Sequence, residues 1–133
     1  MDIRRLIILG IILVLAVLGV TAVLLLPEVE RVSPESVPGG LPNSTVIEIA
    51  FNRKMDRESV AKRLTITPEI ETKMVWEENT LTVIPTEHWP SGAIVEIALA
   101  SGSRSRIGLP VRQSVRWSFQ IAPVTLATEQ IDA

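Results

Sequence analysis

Two arrangements of apolar side chains divide the chain. From Leu6 to Leu26 the run is unbroken, LIILGIILVLAVLGVTAVLLL: 21 residues without a charge, with Thr21 the one polar side chain. A helix rises about 1.5 Å per residue, so this run spans about 31 Å, close to the hydrocarbon thickness of a bilayer. Pro27 ends it. Arg4 and Arg5 stand directly before it, and Glu28, Glu30 and Arg31 soon after. Basic residues flanking a span stay in the cytoplasm. The expectation is therefore a cytoplasmic N-terminus over 1–5, a transmembrane signal-anchor helix over 6–26, and everything after Pro27 on the outer side of a cell membrane.

Beyond Pro27 the pattern changes to strict alternation. In VIEIAF (46–51), Ile47, Ile49 and Phe51 share one face and Val46, Glu48 and Ala50 the other. LTIT (64–67) turns Leu64 and Ile66 inward, and TKMVWEE (72–78) turns Met74 and Trp76 inward. A tight connection at Asn79-Thr80 leads to LTVIP (81–85), with Leu81 and Val83 inward. AIVEIALA (93–100) sets Val95, Ile97 and Leu99 against Ile94, Glu96 and Ala98. SVRWSFQI (114–121) sets Val115, Trp117, Phe119 and Ile121 against Arg116, Ser118 and Gln120. Upstream, VERVSP supplies a first short strand and PGGLPNS a turn cluster. Short alternating strands at roughly ten-residue spacing, with turn signals between them, predict an all-β antiparallel sandwich of about seven strands. Its core is expected at Ile49, Phe51, Trp76, Leu81, Val83, Ile97, Leu99, Trp117 and Phe119. The last residues, APVTLATEQIDA (122–133), lack periodicity and read as a flexible C-terminal tail.

One segment breaks the alternation. FNRKMDRESVAKRL (51–64) carries helix-start chemistry. Asp56 suits an N-cap, with its carboxylate accepting from the N–H of Glu58 or Ser59. Glu58 suits the positive end of the helix dipole, and Lys62 and Arg63 the negative end. Met55 before the cap and Val60 four positions after it form a hydrophobic staple. Val60 and Leu64 can both face the core. One short helix is expected here, carrying the chain between sheets.

Composition removes several classes of function. The chain of 133 residues has room for one ordinary outer domain. With no cysteine there is no disulfide, cysteine-ligated zinc, thiol nucleophile or lipoprotein anchor. Hydrophobic residues make up 47%, an excess concentrated in the first segment. Past residue 26, 11 basic and 14 acidic side chains leave a formal charge of −3, with no basic stripe and no Tyr, so nucleic acid is not an expected partner. A cleaved signal peptide is the rival reading of the first segment, with Val20-Thr21-Ala22 as its cleavage site. Signal cores run about 7–15 residues, and this apolar run continues through Val23–Leu26. Gly10, Ala16, Gly19 and Ala22 are small enough for a helix–helix contact, but no G-x-x-x-G is present.

The outer part resembles the bacterial Ig-like domain of the surface-layer-protein type. The residues that carry the likeness are Phe51, Met55, Asp56, Trp76, Asn79, Leu81, Pro85, Pro90, Gly92, Leu99, Gly108, Trp117 and Phe119, in that order over 28–121. Val95 departs from it, since relatives often have Tyr there. The resemblance implies an Ig-like β-sandwich over 28–121. It also implies a non-catalytic role as an envelope spacer, adhesion or binding module, often attached to a larger partner domain.

Each candidate for chemistry has a plainer explanation. Asp56 with Glu58 could pair as acid and base or hold Ca²⁺, but the spacing fits capping, and the further oxygen ligands of a calcium loop are missing. His88, the one histidine, stands beside Glu87 and near Ser91, and reads as a surface residue in a Pro/Gly turn. Trp76 and Trp89 could be exposed for sugar or peptide binding; core positions are the expectation. Ser103-Arg104-Ser105-Arg106 with Arg112 and Arg116 makes a mild basic patch, read as a solvated loop. No catalytic, cofactor-binding or metal-binding residue is therefore assigned, and no cofactor is expected. The expected partners are the lipid bilayer, through 6–26, and an envelope protein or polysaccharide. The expected function is a non-catalytic, membrane-anchored extracytoplasmic module for interaction or scaffolding. The alternatives are an accessory subunit of a membrane complex and a shortened relative of a larger envelope protein.

Overall fold

A computed structural model describes residues 2–124. Helix α1 runs Ile3–Leu24. It starts earlier than the apolar run because Asp2 caps it, its carboxylate accepting from the Arg4 N–H at 3.4 Å. It stops before Leu26 because Pro27 cannot continue a helix and pushes the preceding residue away from helical angles. No residue of α1 is buried.

Among the described residues, seven strands and one more helix follow: β1 Val29–Ser33, β2 Ile47–Phe51, α2 Arg57–Arg63, β3 Leu64–Thr67, β4 Thr72–Glu77, β5 Thr80–Pro85, β6 Ile94–Leu99 and β7 Val115–Gln120. They form two antiparallel sheets, β1-β2-β5-β4 and β3-β6-β7. This is the four-plus-three division of an Ig-like sandwich. The strands expected from alternation are present, each within a residue or so of its expected limits.

The core lies between the sheets. Ile47, Ile49 and Phe51 from β2, with Leu81 and Val83 from β5, meet Val95, Ile97 and Leu99 from β6 and Phe119 from β7. Side chains outside the strands close the open ends: Leu41, Met55, Val60, Trp89 and Val111 are all buried. Trp89 is 1% exposed. Its indole N–H donates to the Thr45 carbonyl at 2.7 Å, and its backbone N–H to the Asn43 carbonyl at 2.8 Å. It therefore seals one end of the core and pins the 42–45 turn.

The structure corrects three details. Trp76 and Trp117 are half-buried against the core and do not lie inside it. Trp76 stacks on Phe51 with ring centroids 5.9 Å apart, and the Arg57 guanidinium lies 5.6 Å from its ring centre. Met74 shares the inner face with Trp76 yet is 37% exposed, because β4 is the outermost strand of its sheet and little lies opposite it. The β4–β5 turn is Glu78-Asn79, not Asn79-Thr80, since Glu77 pairs with Thr80. Glu78 takes the left-handed conformation there, with φ 53°. The expected tail at 122–133 falls mostly outside the described residues. Its first member, Ala122, donates to the Leu41 carbonyl and accepts from the Gly92 N–H.

Leu41 also forms a parallel bridge to Ile121, and the Ser36 hydroxyl donates to the Ser118 carbonyl at 3.2 Å. The chain leaving β1 thus crosses over and covers the outer edge of β7. Gly40 makes this crossing possible: its φ is 92°, and a Cβ there would lie 2.5 Å from the Ala122 nitrogen.

Candidate functional site

The charged turn at 52–64 is held by local chemistry. The Asp56 carboxylate accepts from the Glu58 N–H at 3.2 Å, which is the expected N-cap. Met55 and Val60 are both buried, as the staple requires. Glu58 pairs instead with Lys62 at 3.3 Å, both well exposed, as neighbours one turn apart. One carboxylate is committed to the helix start and the other to an ion pair on its surface.

The Ser103–Arg106 segment lies against this turn. Backbone N–H groups of Asp56 and Arg106 donate to the carbonyls of Arg104 and Lys54, each at 2.8 Å. The buried Ser59 hydroxyl donates to the Asp56 carbonyl at 2.8 Å and accepts from the Arg104 N–H at 2.9 Å. Ser103 and Ser105 are therefore buried, and Arg104 and Arg106 face water. The sequence predicts a solvated loop here; the Ser59 hydroxyl, whose partner lies 45 residues along the chain, fastens it instead. Arg116 is separate from these arginines, on β7, where it pairs with Glu96 of β6 at 3.4 Å.

His88, Glu87 and Ser91 are all exposed, in the stretch that Trp89 anchors. No hydrogen bond joins them among the described residues. Nor do three His, Asp or Glu side chains converge on a point that could hold a metal ion, among the described residues.

The most constructed feature is the junction between α1 and the sandwich. The Arg53 guanidinium donates to the Leu24 carbonyl at 2.8 Å, capping the C-terminal end of α1. The Asn52 side chain accepts from the Glu28 N–H at 2.8 Å, and the Asn52 N–H donates back to the Glu28 carbonyl at 3.1 Å. Pro27 between them is buried. A groove beside the junction is lined by Val23, Leu26, Val29, Val111, Arg112 and Val115. The sequence pattern assigns Asn52 and Arg53 no role. Their partners are more than twenty residues away, and nothing local marks them.

A family model described as a bacterial Ig-like domain matches residues 26–121. Comparison with curated proteins by sequence finds no match. Among solved structures, an L,D-transpeptidase from Mycobacterium smegmatis superposes with a TM-score of 0.54 at 20% identity, over 72% of this chain and 40% of that one. The L,D-transpeptidase LdtMt1 in complex with imipenem gives 0.55 at 20% identity, over 73% of this chain and 40% of the other. The N-terminal part of the bacterial S-layer protein SbsC gives 0.53 at 20% identity, over 75% of this chain and 24% of that one. This chain thus spans well under half of each of those chains, and the likeness is one of fold.

Proposed function

The chain belongs to the bacterial Ig-like domain family over residues 26–121, and from that premise we propose a non-catalytic, membrane-anchored module for interaction or scaffolding in a bacterial cell envelope. Residues 1–5 lie in the cytoplasm, 6–26 cross the bilayer, and the sandwich over 28–121 stands on the outer side.

The observation that carries this reading is α1. It has 22 residues, long and apolar enough to cross a membrane, and none of them is buried in the protein. At about 25 cal/mol per Å² of apolar surface, a helix of Leu, Ile and Val left in water is strongly disfavoured, and lipid is the environment that matches it. Arg4 and Arg5 at its start set the direction. The sandwich needs nothing from α1 to close its core, which suits a domain held outside on a short tether. The non-catalytic part rests on the candidate polar groups: Asp56, Glu58 and Ser59 are engaged in capping, a surface ion pair and loop attachment, and His88 stands in solvent with no partner to orient it among the described residues.

The test has two parts. Export-dependent reporters are fused after Pro27 and at the C-terminus, and membranes are washed with alkaline carbonate. Active reporters and a full-length chain that only detergent releases are expected. A reporter lying in the cytosol, or a shortened soluble chain, overturns the anchoring. Cross-linked pull-downs then compare the intact chain with one lacking 1–27. A partner kept by the shorter chain binds the sandwich, and one lost with 1–27 makes α1 the contact, as for an accessory subunit of a membrane complex.

A further inference from the structure

Most edges of the sandwich are poor templates for pairing. β7 is covered by the segment around Ser36 and Leu41. β1 is broken by a register shift between Val29 and Arg31, and β3 has only four residues. β4 differs. It is six residues long, sits at the edge of its sheet, and pairs with β5 through six consecutive residues without a bulge. Such an edge presents a row of free N–H and C=O groups.

The phase of that row is fixed by the neighbouring pair. The Thr86 N–H donates to the Glu71 carbonyl at 3.0 Å, one position beyond the end of the β4–β5 ladder. Hydrogen-bonded and non-bonded pairs alternate along antiparallel strands. Lys73, Val75 and Glu77 therefore bond to β5, and Thr72, Met74 and Trp76 turn their N–H and C=O outward.

We propose that β4 is a self-pairing edge, which a second copy of this chain joins antiparallel about a two-fold axis at Val75. In that register Met74 of one copy and Trp76 of the other exchange the free backbone bonds. Val75 meets Val75 and Lys73 meets Glu77 in non-hydrogen-bonded pairs, where Cα atoms approach to about 4.5 Å and side chains are closest. Charge complementarity selects this occupant. Lys on an edge strand ordinarily repels an incoming strand, but here Lys73 and Glu77 lie two residues either side of Val75, so a two-fold brings opposite signs together at both ends. The pairing also covers the exposed apolar side chains of the edge, Val75 at 40% and Met74 at 37%, with Met74 against an indole.

The chain has no cysteine, so one introduced thiol reports on one position. In the full chain, solubilised in mild detergent, Val75→Cys is oxidised and compared with Thr82→Cys. Thr82 is opposite Val75 on β5, and with three strand spacings between them it would lie about 14 Å from its copy, beyond disulfide reach. Disulfide-linked dimer is expected at least about five-fold above the Thr82→Cys control. In the Val75→Cys chain, Lys73→Glu or Glu77→Lys alone should cut the yield several-fold, and the double exchange should restore it. These positions are exposed, so far-UV circular dichroism should stay unchanged. Equal yields from the two cysteines, or a double exchange that fails to restore dimer, overturns the proposal.

Discussion

Replacing Trp89 should distinguish a core plug from a surface aromatic. Trp89 is 1% exposed and its indole N–H donates to the Thr45 carbonyl at 2.7 Å. A buried Trp removes about 150–250 Å² from water, and truncation to Ala in a core costs about 3–5 kcal/mol. A domain of this size has about 5–14 kcal/mol in total, so Trp89→Ala should leave it barely folded. Trp89→Phe keeps most of the apolar volume but leaves the Thr45 carbonyl without its donor, a loss of about 1–2.5 kcal/mol. The assay is urea unfolding of the chain from Leu26 onward, a part whose core contains no residue of α1. Far-UV circular dichroism is the readout, since fluorescence would change with the Trp itself. With a slope of about 1.5 kcal/mol per M, the Ala midpoint should fall by about 2–3 M and the Phe midpoint by about 1 M. His88→Ala, next to it and exposed, should move the midpoint by less than about 0.3 M. A Trp89→Ala chain with a midpoint equal to that of His88→Ala would refute the claim that this end of the core is sealed by one indole.

Other substitutions test other joints. Gly40→Ala places a Cβ against the Ala122 backbone at a positive φ; a loss of about 2–4 kcal/mol is expected in thermal unfolding. Glu78→Gly should raise stability by about 0.5–1 kcal/mol, because the φ of 53° at the β4–β5 turn suits glycine. Asp56→Ala should cost about 1 kcal/mol, whereas Asp56→Asn should be nearly silent, since both caps accept from the Glu58 N–H. An Asn variant as unstable as the Ala variant would mean the charge matters more than the cap.

What the amino-acid order settles by itself is whatever depends on near neighbours. Alternate residues of an extended chain fall on opposite faces, so Ile47, Ile49 and Phe51, or Ile97 and Leu99, declare a buried face within six positions. Helix starts are just as local: Asp56 with Glu58, and Met55 with Val60, lie within five residues of each other, and α2 forms where they stand. The Leu6–Leu26 run and Pro27 likewise fix a long helix and where it must stop.

Tertiary structure decided the rest, because the partners lie far along the chain. Met74 repeats the alternation of Ile49, yet one is exposed and the other buried; whether a strand is central or marginal depends on pairing across the sheet, which no local period encodes. Ser103 and Ser105 are buried only because the 54–59 segment lies against them, and Arg53 reaches the end of α1 only once β2 and β1 are paired. Alternation specifies a face, and the hydrophobic effect rewards hiding it without direction. Which edge stays open, and which polar groups meet there, is settled only when the directional backbone bonds of both sheets have been made.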